Sequence, residues 1–255
     1  MQHLANQLAL ITGASSGIGR ATALQFAAEG ARLILTARRK DRLHALASEI
    51  QDRYKTDVLV IQLDMQDQAA IADAIATLPI EWSRIDILVN NAGLALSSEP
   101  FHKADLQQWN TMIDTNVKGL LCMTHAVLQG MIERNSGHII NIGSIAGRQN
   151  YPGGNVYCAS KHAVKSISQS LRIDLSGYAI RVTEIAPGAV NTEFSTVRWN
   201  DKTKADKFYE DFKPLWAQDI ADTILFCVTR PSHVNIAELV VYPTDQADAR
   251  TLNRQ

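Results

Sequence analysis

The stretch "LALITGASSGIG", residues 8–19, decides the fold. Its first four residues are apolar at consecutive positions rather than alternating, which suits a short strand buried on both faces of a parallel sheet. A glycine-rich loop follows, and an amphipathic helical pattern opens at Gly17. Gly13, Gly17 and Gly19 are spaced G-x-x-x-G-x-G, related to the dinucleotide fingerprint but not identical to it. Glycine is required where backbone turns sharply and lets a pyrophosphate approach. A helix beginning at Gly17 directs free N–H groups and the positive end of its dipole at such an anion. Gly13, Ser15, Ser16, Gly17, Ile18 and Gly19 are therefore candidate cofactor contacts. The competing reading is a β–α turn that holds no ligand.

Working outward, apolar runs at 8–12, 32–37, 58–63, 86–91, 138–143, 180–186 and 238–242 read as strands. Helical patterns lie near 17–29, 40–54, 67–78, 105–134, 157–176 and 217–230. Strand and helix in alternation imply right-handed βαβ units. The expected fold is α/β, a Rossmann-like doubly wound parallel sheet of about seven strands with helices on both faces. No Pro/Gly/Ser-rich linker or internal repeat breaks the chain, so residues 1–255 are expected to form a single domain. Residues 192–216, "TEFSTVRWNDKTKADKFYEDFKPLW", are polar, mixed in charge and aromatic. They sit between the last two strands and are expected to be an inserted substrate lid.

Composition narrows the function. A chain of 255 residues, 46% hydrophobic and 20% charged, has material for a sizeable core. Its net charge of −1 supports neither a nucleic-acid surface nor a basic face for an acidic carrier. Cys122, Cys158 and Cys227 are odd in number and contain no Cys-x-x-Cys, which argues against a disulfide framework and fits a cytoplasmic protein. The start lacks a basic leader region, and no apolar run approaches the roughly 18 residues of a membrane span. The seven histidines suggest no ligand set, and no metal is expected.

The strand ends carry the chemistry, because open α/β sheets place their ligands at the carboxyl edge. An acid at the tip of the second strand would accept hydrogen bonds from a free adenosine ribose; arginine there favours a 2′-phosphate. This chain reads "LTARRKD", with Arg38 and Arg39 at the tip and no acid before Asp41, so NADP is the expected cofactor. In "LDM", Asp64 is placed to accept from an adenine amino group, with Met65 beside it. In "NNAG", Asn91, Ala92 and Gly93 allow close backbone approach. Turn chemistry, which Asn, Asp and Gly favour, is the alternative for either segment. "IGS" brings Ser144 to the edge of the fifth strand. "APGAVNT" turns at Pro187 and Gly188 and leads through Val190 to Thr192. Asn116 lies inside an otherwise good helical pattern that it mildly disfavours.

Tyr157 and Lys161, in "NVYCASK", fall on one helical face with β-carbons about 6 Å apart. A free tyrosine has a pKa near ~10 and is a weak base at neutral pH. A nearby cation favours the phenolate. One solvated lysine is too weak for the shift required, so a second cation or a desolvated site is needed. An oxidised nicotinamide is positively charged and would supply the former.

"TGASSGIG", "NNAG", Asn116, Ser144, "YCASK" and "PGAVNT", in this order and spacing, resemble the short-chain dehydrogenase/reductase family across almost the entire chain. The resemblance implies a Rossmann-fold homotetramer or dimer acting on a small molecule, with Ser144, Tyr157, Lys161 and Asn116 as its catalytic group. It also implies that Lys161 holds the nicotinamide ribose and that Asn116 anchors a water passing protons outward. A narrower likeness, in "LPIEWSRIDILVNNAGLAL", "TMIDTNVKGL", "PGGNVY" and "TEFSTVR", is to NADP-dependent 3-hydroxy acid dehydrogenases that oxidise serine, allo-threonine and related acids. The implied reaction is hydride transfer between NADP and a secondary alcohol such as 3-hydroxybutyrate. Two alternatives remain: reduction of uncharged ketones or 3-oxoacyl groups, and a nucleotide-binding module without catalysis. Arg198, between Phe194 and Trp199, is the candidate for a substrate carboxylate. Its competing partner is Glu193, and Arg148 is a competing cation.

Overall fold

Every strand of the sheet but the C-terminal edge strand divides its apolar side chains between two cores. In β1 (Leu8–Thr12), Ala9 and Ile11 join one cluster while Leu8 and Leu10 join the other. The remaining strands are β2 (Arg32–Ala37), β3 (Val58–Gln62), β4 (Ile87–Asn90), β5 (Gly137–Ile142), β6 (Ile180–Pro187) and, near the C-terminus, β9 (Glu238–Val241). All pair in parallel in the order β3-β2-β1-β4-β5-β6-β9. This computed structural model describes residues 2–254.

Helices α1 (Gly17–Ala28), α2 (Lys40–Tyr54) and α9 (Ala217–Val228) cover the first core through Phe26, Leu43, Ile50, Ile220 and Ile224. Helices α3 (Gln68–Ala76), α5 (Leu120–Glu133) and α6 (Asn155–Asp174) lie on the other face; Ile71, Met123, Val127 and Met131 fill the second core. Helix α4 (Leu106–Ile113) leads into α5. Burial on both faces is what continuous apolar strands require, and each fully buried Leu or Ile contributes about 1.5–3 kcal/mol of transfer free energy.

β1 pairs with β2 on one side and β4 on the other, so chain order reverses between β1 and β4. The loops after these strands diverge there and open a crevice. Thr12 and Asn91 lock its two lips together. Thr12 Oγ1 accepts from the backbone N–H groups of Asn91 and Ala92, each at 3.0 Å, and Asn91 Nδ2 donates to the carbonyl of Thr12 at 2.9 Å.

Two local features depart from the sequence reading. The helix expected over 105–134 is interrupted by a π-helical turn at Asp114–Gly119. The turn packs hard on the β3–α3 loop; a Cβ on Gly119 would stand 2.4 Å from the carbonyl oxygen of Met65. Residues 192–216 contain regular structure: α7 (Glu193–Trp199), α8 (Lys202–Phe208) and the short strand β8 (Leu215–Trp216), which pairs in parallel with β7 (Val190–Asn191). The aromatic residues of this segment form its own small core, with Trp199–Phe208 ring centres 5.5 Å apart and Phe208–Phe212 5.8 Å apart.

Candidate active site

The strand ends open on a cleft of about 560 Å³, a size suited to a cofactor with a small substrate. The glycine loop forms its floor at the adenosine end. Gly13 and Gly17 have φ of +65° and +52°, a region in which a side chain is strained. The loop hands over to α1 without a side-chain cap at Ser16, which leaves the helix N–H groups directed at the cleft. Ser15, Ser16 and Ile18 line it with them. Gly19 does not. It lies beneath the loop, where a Cβ would stand 2.5 Å from Asn91 Nδ2, so its place is in helix–strand packing rather than ligand contact.

Arg38 and Arg39 both line the cleft, but they are engaged differently. Among the described residues Arg38 has no side-chain hydrogen bond or ion pair. Arg39 folds back over the glycine loop, donating to Ser15 Oγ at 3.2 and 3.1 Å and to Ser16 Oγ at 2.7 Å. Its remaining donor meets Glu193 at 2.8 Å. Arg42 joins the same carboxylate at 2.6 and 2.9 Å. Neither Arg42 nor Glu193 was expected here, and an isolated "KDR" or "TEF" carries no signal for either. Asp64, Met65, Asn91, Ala92, Gly93, Pro187, Gly188, Val190 and Thr192 complete the cofactor side of the lining. Thr192 packs against the glycine loop, 3.3 Å from where a Cβ on Gly17 would lie, and caps α7 by accepting from Phe194 N–H. These features fit a phosphorylated dinucleotide: positive-φ glycines, an uncapped helix start and arginines at the β2 tip.

At the other end, Tyr157 and Ser144 are buried at the cleft wall. Ser144 caps a single 3₁₀ turn, Ile145–Gly147, by accepting from Ala146 N–H at 3.1 Å. The Lys161 ammonium donates to the Ile142 carbonyl at 2.8 Å and lies 5.9 Å from the centre of the Tyr157 ring. Burial pushes Lys161 down to about 8, opposed by the negative charge of Glu184. At neutral pH the ammonium therefore persists.

The electrostatics of Tyr157 differ from the sequence expectation. Burial raises its pKa well above the usual range, and Tyr151 adds to the rise. The Ser144 hydroxyl and the Arg198 guanidinium act in the lowering direction; Lys161 is not among the principal influences. The ammonium is directed at the Ile142 carbonyl, and burial of the phenol is the dominant influence on its pKa.

Asn116 sits behind the cleft rather than on it. Its Nδ2 donates to the Leu94 carbonyl at 2.8 Å and to Ser160 Oγ at 3.0 Å, while Oδ1 accepts from Leu94 N–H at 2.9 Å. Both amide hydrogens are committed, so the side chain fixes the β4–α4 loop. A Cβ on Gly93 would lie 3.4 Å from Asn116 Oδ1 and 3.5 Å from Lys161 Nζ, so these groups share one corner.

Geometry separates Arg198 from Glu193 and from Arg148. Arg148 donates to both oxygens of the fully buried Glu184 and to Glu238, and it is absent from the lining. Glu193 pairs with Arg39 and Arg42, not with Arg198. Arg198 lines the cleft, donates to the Tyr151 hydroxyl at 3.2 Å and the Ser97 carbonyl at 3.4 Å, and has no carboxylate partner among the described residues. Tyr151, in "YPGGN", was not singled out by sequence reading. Cys122 and His125 stand at helical spacing, as do Cys158 and His162, but His162 Nδ1 bonds the Cys158 carbonyl instead. Among the described residues no three His, Cys, Asp or Glu gather as a metal site.

Comparison with known proteins agrees with this architecture. The chain is 50% identical over 244 residues to the NADP-dependent 3-hydroxy acid dehydrogenase of Escherichia coli (strain K12), covering 95% of this chain and 97% of that one. It is 48% identical over 244 residues to sulfoacetaldehyde reductase 2 of Chromohalobacter salexigens, covering 95% and 96%. The closed form of a serine dehydrogenase complexed with NADP⁺ superimposes with a TM-score of 0.91 at 48% identity, covering 98% of this chain and all of that one. Residues 7–203 match the short chain dehydrogenase family. The chain belongs to that family.

Proposed function

We propose that this enzyme oxidises short 3-hydroxy acids with NADP, Tyr157 serving as the acid/base and Arg198 as the clamp for the substrate's carboxylate. It is an NADP-dependent oxidoreductase acting on a hydroxyl group. Bound NADP⁺ supplies the hydride acceptor at C4 of its nicotinamide. The protein's part is to bind, orient and move a proton. Ser144 donates to the substrate oxygen and stabilises its developing charge. Tyr157 takes the hydroxyl proton in oxidation and returns it in reduction. Lys161 holds a positive charge beside the phenol, and Asn116 keeps the Leu94 loop and Ser160 in register around it. Arg38, with Arg39, takes the 2′-phosphate.

The observation that carries the substrate class is the Arg198 guanidinium, 6.0 Å from the Tyr157 ring centre and without a carboxylate partner among the described residues. A planar fork matches a carboxylate bidentately, and flanking rings strengthen the pairing by excluding water. A sulfonate offers similar oxygens, so the relative named for sulfoacetaldehyde supports an anion clamp as well as the hydroxy acid relatives do. A panel of 3-hydroxybutyrate, serine, sulfoacetaldehyde and 2-butanol, each with NADP(H) and NAD(H), tests the reading. Preference for the neutral alcohol would overturn the clamp.

The segment 192–216 closes over the substrate in this reading, supported by the lining residues Glu193, Phe194, Arg198 and Trp199 that it contributes. Residues 1–255 act as one domain. A homo-oligomer, tetramer or dimer, is expected, with light scattering as its measurement. Three free thiols fit a cytoplasmic location, and no helix among the described residues is long and apolar enough to cross a membrane.

A further inference from the structure

Glu193 has a placement that neither helix capping nor substrate binding requires. Thr192 already caps α7, accepting from Phe194 N–H at 3.3 Å. An acid in a first turn gains from the helix dipole wherever its side chain points. Here it points across the cleft to α2, 154 residues back in sequence from one partner and 151 from the other. It takes one donor from Arg39 and two contacts from Arg42. Burial raises the pKa of Glu193, but the hydrogen bonds from Arg39 and Arg42 outweigh it and hold the carboxyl below its ordinary value. A carboxylate is thus present on these arginines throughout the neutral range.

We propose that Glu193 is an internal competitor of the cofactor's 2′-phosphate, occupying Arg39 and Arg42 and being displaced when the phosphate binds. The inference rests on the reading that the β2 tip takes that phosphate. Arg39 also donates to Ser15 and Ser16, which holds its guanidinium beside the glycine loop. Its fork stays over the site where the adenosine end must lie. A phosphate monoester and a carboxylate compete for the same planar donors, and two anions held against one guanidinium repel. Glu193 therefore weakens NADP binding relative to what the arginines alone would give, and it leaves NAD binding alone. The arrangement also couples the two ends of the cleft. Glu193 begins the seven-residue helix α7, and Arg198 lies near its end, its carbonyl accepting from Ser97 N–H at 2.8 Å. Release of Glu193 frees the helix from α2 while its far end stays on the substrate loop.

Glu193→Gln keeps the size and removes the charge at a site 45% exposed, where the fold tolerates the change. Fluorescence titration of the full-length protein with NADPH and with NADH reads the effect. NADPH should bind about three- to ten-fold more tightly in Glu193→Gln, the range two exposed ion pairs provide, with NADH within about two-fold of the parent. NADPH affinity that is unchanged or weaker, or an equal change for both cofactors, would overturn the proposal. Arg39→Met separates it from the reading beneath it. If Arg39→Met lowers the NADPH preference while Glu193→Gln has no effect, the competitor is wrong and the phosphate site stands. If Arg39→Met leaves the preference intact, Arg39 does not take the phosphate, and the proposal falls with that assignment.

Discussion

The guanidinium carbon of Arg198 stands 6.0 Å from the centre of the Tyr157 ring. A single side chain thereby faces two tasks. It presents a cation to the cleft, and its charge lowers the pKa of a phenol that burial raises. The Tyr151 hydroxyl and the Ser97 carbonyl hold it there through neutral acceptors, which leave its charge uncompensated.

Replacing that cation should separate the two tasks. In Arg198→Met, kcat/KM on 3-hydroxybutyrate is expected to fall by ~10–100-fold, while 2-butanol measured at alkaline pH is barely affected. Removing a positive charge disfavours phenolate, so the ascending limb of the oxidation rate against pH should move to higher pH. Equal losses on both alcohols, with an unmoved limb, would assign Arg198 to the architecture of α7.

Tyr157→Phe keeps the ring tilted against Phe194, whose centre is 5.5 Å away, and removes only the hydroxyl that carries the transferred proton. Turnover should drop by at least ~100-fold with NADPH affinity largely retained. Stopped-flow hydride transfer is the direct measurement. Turnover within about threefold of the parent would exclude the phenol from the reaction.

Arg38, free of side-chain partners among the described residues, is the more available phosphate ligand. Arg38→Asp is expected to shift the ratio of kcat/KM for NADP over NAD by ten-fold or more towards NAD, given charge-assisted bonds worth roughly 1.5–3 kcal/mol. A ratio that does not move would leave the task to Arg39.

Lys161 is costly to the fold. Its pKa is depressed from 10.5 to about 8, so the cost of burying the ammonium is fully present below about pH 8 and is relieved as pH rises towards 10.5. Across that window the unfolded chain binds more protons, and stability attributable to this residue rises with pH. Lys161→Met should therefore be inactive yet more stable at pH 7, by about 1–2 kcal/mol once the orphaned Ile142 carbonyl is allowed for. Urea unfolding at pH 7 and pH 10 checks both the sign and its disappearance at the higher pH.

Arg148 answers to the opposite logic. Removing it strands the fully buried Glu184, whose Oε1 lies 2.0 Å from where a Cβ on Gly143 would be. Arg148→Met is expected to cost about 3–5 kcal/mol in urea unfolding. Arg148→Met with Glu184→Leu should recover part of that loss.

The chain order of strands, the glycine loop and the alignment of Tyr157 with Lys161 were all legible in the sequence. Each depends on local causes: apolar periodicity, positive-φ glycine and helical spacing act over a few residues and leave a pattern in those residues. The π-turn at Asp114–Gly119 was not legible, because Asn116 takes its partners from Leu94 and Ser160, far along the chain. The same holds for which arginine is spoken for. "ARR" shows two equivalent cations; only the approach of the start of α7 to the start of α2 gives Glu193 to Arg39 and Arg42, and leaves Arg38 and Arg198 available. The pKa of Tyr157 also belongs to the tertiary structure, since the sequence places a lysine beside it but not the wall that desolvates it. Sequence alone determined the fold and which candidate side chains meet at one cleft. Folding decided which charges are paired and which are exposed to a ligand, because pairing and desolvation arise between segments that only the closed sheet brings together.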